Sequence, residues 1–109
     1  MSTIIKDIEL YREDTRSYQI TITIPAGDAY TDYKAALTVR SNHNAATVIF
    51  EVQKDFAAAA VIIPIAKTDT ENITIGSYVY DVKVYKADLS KIKTIQSGKF
   101  IILANTTDL

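Results

Sequence analysis

Apolar and polar residues alternate along much of this chain. In residues 18–24, a tyrosine and three isoleucines occupy the even positions, and glutamine and threonine occupy the positions between them. Because successive side chains of a β-strand point to opposite faces, a period of two predicts a strand with one buried and one exposed face. The turn-forming residues 25–28 predict the end of this strand.

The same pattern predicts about seven strands, separated by polar turns. The predicted strands cover residues 4–11, 18–24, 34–41, 45–54, 61–65, 77–86 and 93–104. The side chains predicted to point inward include Ile8, Leu10, Tyr18, Ile20, Ile22, Ile24, Ala35, Leu37, Val39, Val48, Phe50, Val52, Tyr78, Tyr80, Val82 and Val84. The polar residues 67–72 are predicted to form a loop, and Gly98 is predicted to allow a bulge in the last strand.

Residues 57–65 support two interpretations. Four consecutive alanines, Ala57 to Ala60, favour a helical turn by intrinsic propensity. The β-branched residues that follow them favour a strand instead. Because Pro64 has no N–H to donate, a strand here would lie at a sheet edge or contain a bulge.

The residue types indicate an all-β protein. Ile, Thr, Val, Tyr and Phe make up 46 of the 109 residues, whereas Leu occurs five times. Such side chains pack well on pleated surfaces and lose rotamer freedom in helices. With seven short strands and no interdomain linker, the sequence predicts one domain over residues 1–109. Its expected fold is an antiparallel two-sheet sandwich of immunoglobulin type, and a small barrel is the competing architecture.

Charge and residue chemistry exclude several classes of function. Lys and Arg number 12 against 13 Asp and Glu, so no cationic surplus points to nucleic acid. The absence of cysteine excludes disulfides and thiol chemistry, and the single histidine, His43, lies in a turn sequence. We find no nucleophile or phosphate-loop motif, and we therefore expect no enzymatic activity and no cofactor. The acidic stretches at residues 13–14 and 69–72 do not have the spacing of a calcium loop, so no metal is expected.

No segment of the chain has the properties of a signal peptide or a membrane span. Charged residues appear from Lys6 onward, before an apolar stretch could reach signal-peptide length. The longest apolar run, residues 56–66, contains a proline and is far shorter than the roughly 20 residues that a span needs. We therefore expect a soluble protein that is made as it stands and does not bind a membrane.

The second half of the chain carries a recognisable pattern. Residues 73–82 combine a polar loop, Gly76 and a tyrosine-rich strand ending at Asp81, and residues 94–102 form a last strand that contains Gly98. The opening, with an Arg-Glu-Asp-Thr turn before a strand, fits the same pattern. The chain thereby resembles small immunoglobulin-like domains of tailed-phage structural proteins, such as the domain at the start of the baseplate upper protein in phages of Gram-positive bacteria.

A purely structural role also explains part of this motif. Tyr78 follows Gly76 at the beginning of a strand, which is the position of the tyrosine corner in many sandwich domains. In that arrangement the phenol hydroxyl bonds to upstream backbone. The sequence therefore predicts a corner at Tyr78, with Gly76 as a backbone device.

The resemblance implies a virion protein made in the cytoplasm of a bacterial host and built into a tail, a baseplate or a head decoration. Its partners would be other virion proteins or copies of itself, in a homo-oligomeric assembly. Exposed tyrosines often anchor protein interfaces, and the candidate interface residues are Tyr30, Tyr33 and Tyr85. The alternative is a carbohydrate- or cell-surface-binding module, because tyrosines also stack on sugar rings.

Overall fold

The computed structural model describes residues 4–42, 44 and 47–104, and its elements are almost all strands. His43 and the polar segment 105–109 lie outside the described residues. The strands are β1 (Ile4–Ile5), β2 (Ile8–Tyr11), β3 (Arg16–Thr21), β4 (Tyr33–Arg40), β5 (Val48–Asp55), β6 (Ala60–Ile65), β7 (Gly76–Lys86) and β8 (Ile92–Leu103). A 3₁₀ turn (Tyr30–Asp32) precedes β4, and a single helical turn, α1 (Lys67–Thr70), follows β6. None of the helices among the described residues is long and apolar enough to cross a membrane.

The strands form two sheets that pack face to face. The large sheet has the order β1-β8-β7-β4-β5, and β2 pairs with β8 on the same side as β1. Both N-terminal strands run parallel to β8, whereas β4, β5, β7 and β8 pair antiparallel. The small sheet consists of β3 and β6, paired antiparallel. The predicted two-sheet, all-β sandwich is therefore confirmed, but the prediction that it is antiparallel throughout is wrong for β1 and β2, which pair parallel with β8.

The core lies between the two sheets. It contains many of the side chains predicted to point inward, together with Phe56 and side chains of β6 and β8 whose faces were not predicted. Buried residues include Ile8, Leu10, Ile20, Ile22, Ala35, Leu37, Val39, Phe56, Ile63, Ile65, Tyr80, Val82, Val84, Phe100 and Ile102. Phe100 is fully buried at the centre and makes edge-to-face contacts with Phe50 and Tyr80. Burial of side chains of this size contributes roughly 1.5–3 kcal/mol each to folding, so this cluster dominates the stability.

The chain from β5 to α1 settles the two interpretations of residues 57–65. Residues 60–65 form strand β6, and Ser17 of β3 pairs with Pro64. Within the described residues β6 pairs with β3 alone, so Pro64 lies on an edge strand, where its missing N–H is tolerated. The alanines 57–59 form the bend between β5 and β6.

Residues 67–72 do not form the predicted simple loop. They begin with α1, where the Asp69 carboxylate accepts the backbone N–H of Ala66 at 2.8 Å. The hydroxyl of Thr70, which is fully buried, accepts the backbone N–H of Glu13 at 2.9 Å. These capping and tertiary hydrogen bonds stabilise a single turn whose sequence has little helical propensity.

Two β-bulges, one in β5 and one in β8, lie where the sequence did not predict them, and one of them changes the face to which a side chain points. In β5, the register shifts so that Val48 pairs with Arg40 while Phe50 pairs with Val39. The extra residue, Ile49, packs on the core, and Val48 faces outward with 37% of its surface exposed, so its predicted inward position is wrong. In β8, the register shift falls opposite the Val82–Lys83 step, so the bulge predicted at Ser97–Gly98 is displaced toward the start of the strand.

Candidate functional site

Tyr33 does not occupy the surface position that the sequence predicts. Its side chain is 6% exposed, and its hydroxyl donates a hydrogen bond of 2.6 Å to the Asp28 carboxylate. Lys86 and Lys91 lie 3.6 and 3.5 Å from the same carboxylate. Tyr33 therefore joins the loop before β4 to the β7–β8 hairpin, and its side chain is not available for contact.

The hydrogen bond between Tyr33 and Asp28 sets the protonation of both groups. It is the largest cause that lowers the pKa of Asp28, and the two lysines lower it further. The same bond, together with burial and nearby carboxylates, raises the pKa of Tyr33 to about 12. At neutral pH the phenol is a donor to a carboxylate anion. This arrangement holds a loop in place and provides no general base near neutral pH.

Tyr30 is half-buried in the 3₁₀ turn and packs against the core. Tyr85 is half-buried as well, but it lies on the outer face of the large sheet, away from the small sheet. Of the three predicted interface tyrosines, Tyr85 is therefore the one that belongs to an open surface of the sheet. The structure does not bring the three side chains together at one site.

Cross-strand pairing places the side chains of this outer face in rows. Directly paired residues share a face of the sheet, and neighbouring rows are roughly 7 Å apart. One row contains Asp55, Lys34, Tyr85 and Ile92, the next contains Gln53, Ala36, Lys83 and Thr94, and a third contains Glu51, Thr38 and Asp81.

The middle of this face is a shallow depression that we call the outer trough. Ala36 and Thr38, on the central strand β4, form its floor because their side chains are shorter than those on both sides. The trough encloses about 280 Å³. Its lining residues are Ala36, Thr38, Arg40, Glu51, Gln53, Asp81, Lys83, Tyr85, Leu89 and Ile92.

The polar residues of the outer trough are held by side-chain hydrogen bonds to one another and to the neighbouring Thr94. The Thr38 hydroxyl donates to the Glu51 carboxylate at 2.7 Å, and the Gln53 amide donates to the other oxygen of Glu51. The Lys83 ammonium donates to the Thr94 hydroxyl at 3.0 Å. Side chains fixed in this way lose less conformational entropy when a ligand binds.

The apolar side of the outer trough contains two residues that the sequence reasoning missed. Leu89 is 63% exposed and Ile92 is 56% exposed, and both lie beside Tyr85. Leu89 also has a left-handed backbone, with φ of 63°. A leucine exposed in a hairpin turn, where Gly or Asn would fit without strain, is the signal that could have indicated this position.

A second, more apolar cleft opens between the sheets at the same end of the sandwich. It has a volume of about 450 Å³ and lies between the segment after β3 and the beginning of β8. Its lining is mainly Ile22, Ile24, Pro25, Tyr33, Val84, Ile92 and Ile95, with Ser90, Lys91 and Lys93 at the hairpin. It brings together no pair of acid and base groups placed for proton transfer.

The two acidic stretches predicted from sequence do come close to each other. The hydrogen bond from Glu13 to Thr70 brings residues 13–14 next to α1. The Asp69 carboxylate already accepts a hydrogen bond from the Ala66 N–H, and the Glu71 carboxylate lies 3.8 Å from the Lys67 ammonium. Within the described part of the chain, no three His, Cys, Asp or Glu side chains converge as metal ligands would.

Comparison with known proteins gives no assignment of family. No protein-family profile matches the chain, and no curated protein is significantly similar to it. Among solved structures, the chain is similar to part of a family 123 glycoside hydrolase from Clostridium perfringens that hydrolyses glycolipid glycans. The sequences are 14% identical and the TM-score is 0.49, with 100% of this chain covered. This chain spans 24% of the length of that hydrolase chain.

Proposed function

We propose that this chain is a non-enzymatic structural or assembly module of a phage or prophage virion, with an immunoglobulin-like fold. It works through protein–protein contacts in which a neighbouring subunit pairs with a free strand edge. The observation that carries the proposal is strand β6, an uncharged apolar edge strand. Within the described residues, β6 pairs only with β3.

The strand order supports the immunoglobulin-like part of the proposal. The order β8-β7-β4-β5 corresponds to the G-F-C-C′ order of variable-type immunoglobulin sheets, and β3-β6 corresponds to the B–E pair of the opposite sheet. The Tyr78 hydroxyl, at the start of β7, donates a 2.6 Å hydrogen bond to the Thr74 carbonyl. This is the predicted tyrosine corner, in the strand where such domains have it.

The composition of β6 supports edge pairing. Its six residues are Ala, Val, Ile, Ile, Pro and Ile, and Ile62 is 50% exposed. Proteins usually protect an edge strand with charged side chains, proline or a covering segment, since an apolar edge pairs readily with other chains. Pro64 protects one position of β6 by removing its donor, but no charged side chain protects the other five. Such an edge is suited to a subunit contact by β-strand addition.

In an assembly with many copies of the chain, a weak contact at each strand edge would be sufficient to hold the copies together. Virion parts are symmetric assemblies, and linked copies bind more tightly than one copy because later contacts form at high effective concentration. The main-chain hydrogen bonds of the β6 edge would then set the register between β6 and the strand of the neighbouring subunit.

The first test determines the protein composition of purified virions. Virions from the phage or induced prophage that encodes the chain are purified by density gradient and analysed by peptide mass spectrometry. We expect the chain in a fixed ratio to the major tail or head protein. Its absence from purified, infectious particles would overturn the proposal.

The second test locates the contact. The purified chain is measured by light scattering at several concentrations, together with I62K and a matched control, I75K, which changes another exposed isoleucine outside the strands. We expect a discrete oligomer that I62K dissociates and I75K preserves. An oligomer that resists I62K would contradict the assignment of the contact to β6.

A further inference from the structure

The outer trough has two chemically different sides. Tyr85, Leu89 and Ile92 form an apolar wall. Gln53 lies across the floor from this wall, whereas Lys83 lies next to Tyr85 on β7, and both carry polar groups at their tips. The wall belongs to β7, β8 and their hairpin, and Gln53 belongs to β5. A ligand seated on Ala36 would therefore touch apolar carbon on one side and hydrogen-bonding groups on the other.

The charges of the trough are mixed in sign. Glu51 and Asp81 are acidic, Arg40 and Lys83 are basic, and they alternate over the polar half of the surface. A site of this kind has no excess charge to offer an anion or a cation. Complementarity favours a ligand that is neutral overall and rich in both donors and acceptors.

The polar groups of the trough keep hydrogen-bonding capacity for such a ligand. Gln53 and Lys83 are already fixed by hydrogen bonds to Glu51 and Thr94. An amide has two N–H groups and an acceptor oxygen, and an ammonium has three N–H groups, so each can make further bonds. Fixed donors and acceptors on a rigid sheet are the arrangement that a binding site requires.

The apolar wall includes a residue held against its backbone preference. Leu89 keeps its left-handed conformation within a hairpin closed by hydrogen bonds from Leu89 N–H to the Lys86 carbonyl and from Lys86 N–H to the Lys91 carbonyl. A left-handed backbone is sterically unfavourable for a residue that carries a β-carbon. Leu89 places a large apolar side chain at the rim beside Tyr85, which a glycine there would not provide.

We propose that the outer trough binds a neutral saccharide. The apolar C–H face of one sugar ring stacks on Tyr85 between Leu89 and Ile92, and ring hydroxyls bond to Gln53 and Lys83. A sugar matches the site because it combines an apolar face with a rim of hydroxyls and carries no charge. The site lies on the large sheet, away from β6, and it does not depend on the assembly role proposed above.

The test uses four neutral probes: maltohexaose, cellohexaose, mannohexaose and tetra-N-acetylchitotetraose. Each is titrated into the ¹⁵N-labelled chain while amide chemical shifts are followed. We expect at least one probe to shift the amides of residues 36, 53, 83, 85, 89 and 92. Absence of binding by all four probes at millimolar concentration would overturn the proposal, and so would shifts confined to other residues.

Variants of the chain distinguish loss of contacts in the trough from a general effect of mutation on saccharide binding. Y85A and Q53A are expected to weaken binding at least about tenfold. The matched control is Y11A, which removes a 51% exposed tyrosine on β2, outside the trough, and it should bind as the unchanged chain does. L89N keeps the hairpin conformation and removes the apolar wall, so it should weaken binding without loss of fold.

Two further outcomes would contradict the assignment. Tighter binding of polygalacturonate than of the neutral probes would show that charge, not sugar stacking, dominates. Dissociation of an oligomer by Y85A would show that the trough is a protein interface. Because the saccharide titration and the particle analysis are independent, either proposal can fail while the other stands.

Discussion

Gly98 lies directly against the backbone of Lys6. A β-carbon at Gly98 would stand 2.3 Å from the Lys6 carbonyl oxygen and 2.8 Å from its carbonyl carbon. That oxygen accepts a hydrogen bond from Tyr80, whose hydroxyl in turn accepts one from Gln96. Because position 98 has no side chain, the segment between β1 and β2 can lie against β8, where Lys6 N–H bonds to the Ser97 carbonyl.

Substituting Gly98 with alanine should therefore displace this segment. We expect G98A to lower the free energy of unfolding by about 3 kcal/mol, because the contact is with backbone that cannot rotate away. The control is G27A, where a β-carbon meets nothing within 4 Å but φ is +93°, and it should cost about 1 kcal/mol. Urea denaturation of the three proteins measures the difference, and equal losses would contradict the packing account.

The tyrosine corner can be tested by removing one oxygen atom. Y78F loses the hydrogen bond to the Thr74 carbonyl, and we expect it to lower the free energy of unfolding by about 1 kcal/mol. Y11F, at a tyrosine with 51% exposure, should change it little. If the two variants have the same denaturation midpoint, the corner does not stabilise the fold.

The contact between Tyr33 and Asp28 predicts how stability depends on pH. The pKa of Tyr33 is raised from 10.0 to about 12, so the folded state holds its proton more tightly than the unfolded state does. This contribution is fully present below pH 10 and is lost as the pH rises toward 12. The lowered pKa of Asp28 acts at the other end, where its contribution is present above the unfolded pKa and is lost in acid.

Unfolding midpoints in urea, measured from pH 3 to pH 12, check this prediction. Y33F should remove the part of the alkaline loss that belongs to the phenol, while the titration of lysines remains in both proteins. The alkaline difference between the unchanged chain and Y33F should therefore shrink from pH 10 upward. A constant difference over that range would contradict the raised pKa.

Leu89 should be a site where stability can be increased. Asparagine tolerates the left-handed region better than leucine does, so L89N is expected to raise the free energy of unfolding by about 0.5–1 kcal/mol. L89A keeps the β-carbon that is strained in the left-handed region and has no side-chain hydrogen bond to offset that strain, so it should not raise the free energy of unfolding. Thermal unfolding of both variants measures the effect. A loss of stability in L89N would mean that the leucine side chain stabilises the isolated domain.

Alternation predicted the sandwich because burial of one strand face depends on local sequence. The stripe of Tyr80, Val82 and Val84 is buried as predicted, and so are Ile8 and Leu10. The pattern failed at Val48, because the bulge at Ile49 makes Val48 and Phe50 point to opposite faces of the sheet. A bulge depends on the register with a partner strand, and the sequence of one strand does not contain that register.

The candidate site could be predicted only in part. Tyr85 lies on an open face, as its position in the alternation indicates. Tyr33 was predicted to lie in a loop, but it begins β4 and therefore shares the inward face of that strand with Ala35. The outer trough joins β4, β5, β7, β8 and a hairpin. Such an arrangement follows from strand order, which neither composition nor periodicity specifies. The sequence indicates only a turn at Leu89, because its position beside Tyr85 and Ile92 depends on how the β7–β8 hairpin folds.

The parallel pairing of β1 and β2 with β8 has a consequence for synthesis of the protein. The hydrogen bond between Asp7 and Lys99 joins residues 92 positions apart, so the N-terminal strands leave the ribosome long before their partner exists. The large sheet closes only when β8 is complete, and contacts between such distant residues form slowly. During translation the strand edges of β2 and β7 that pair with β8 stay open until Leu103 has emerged, and open edges of this kind expose a nascent chain to aggregation.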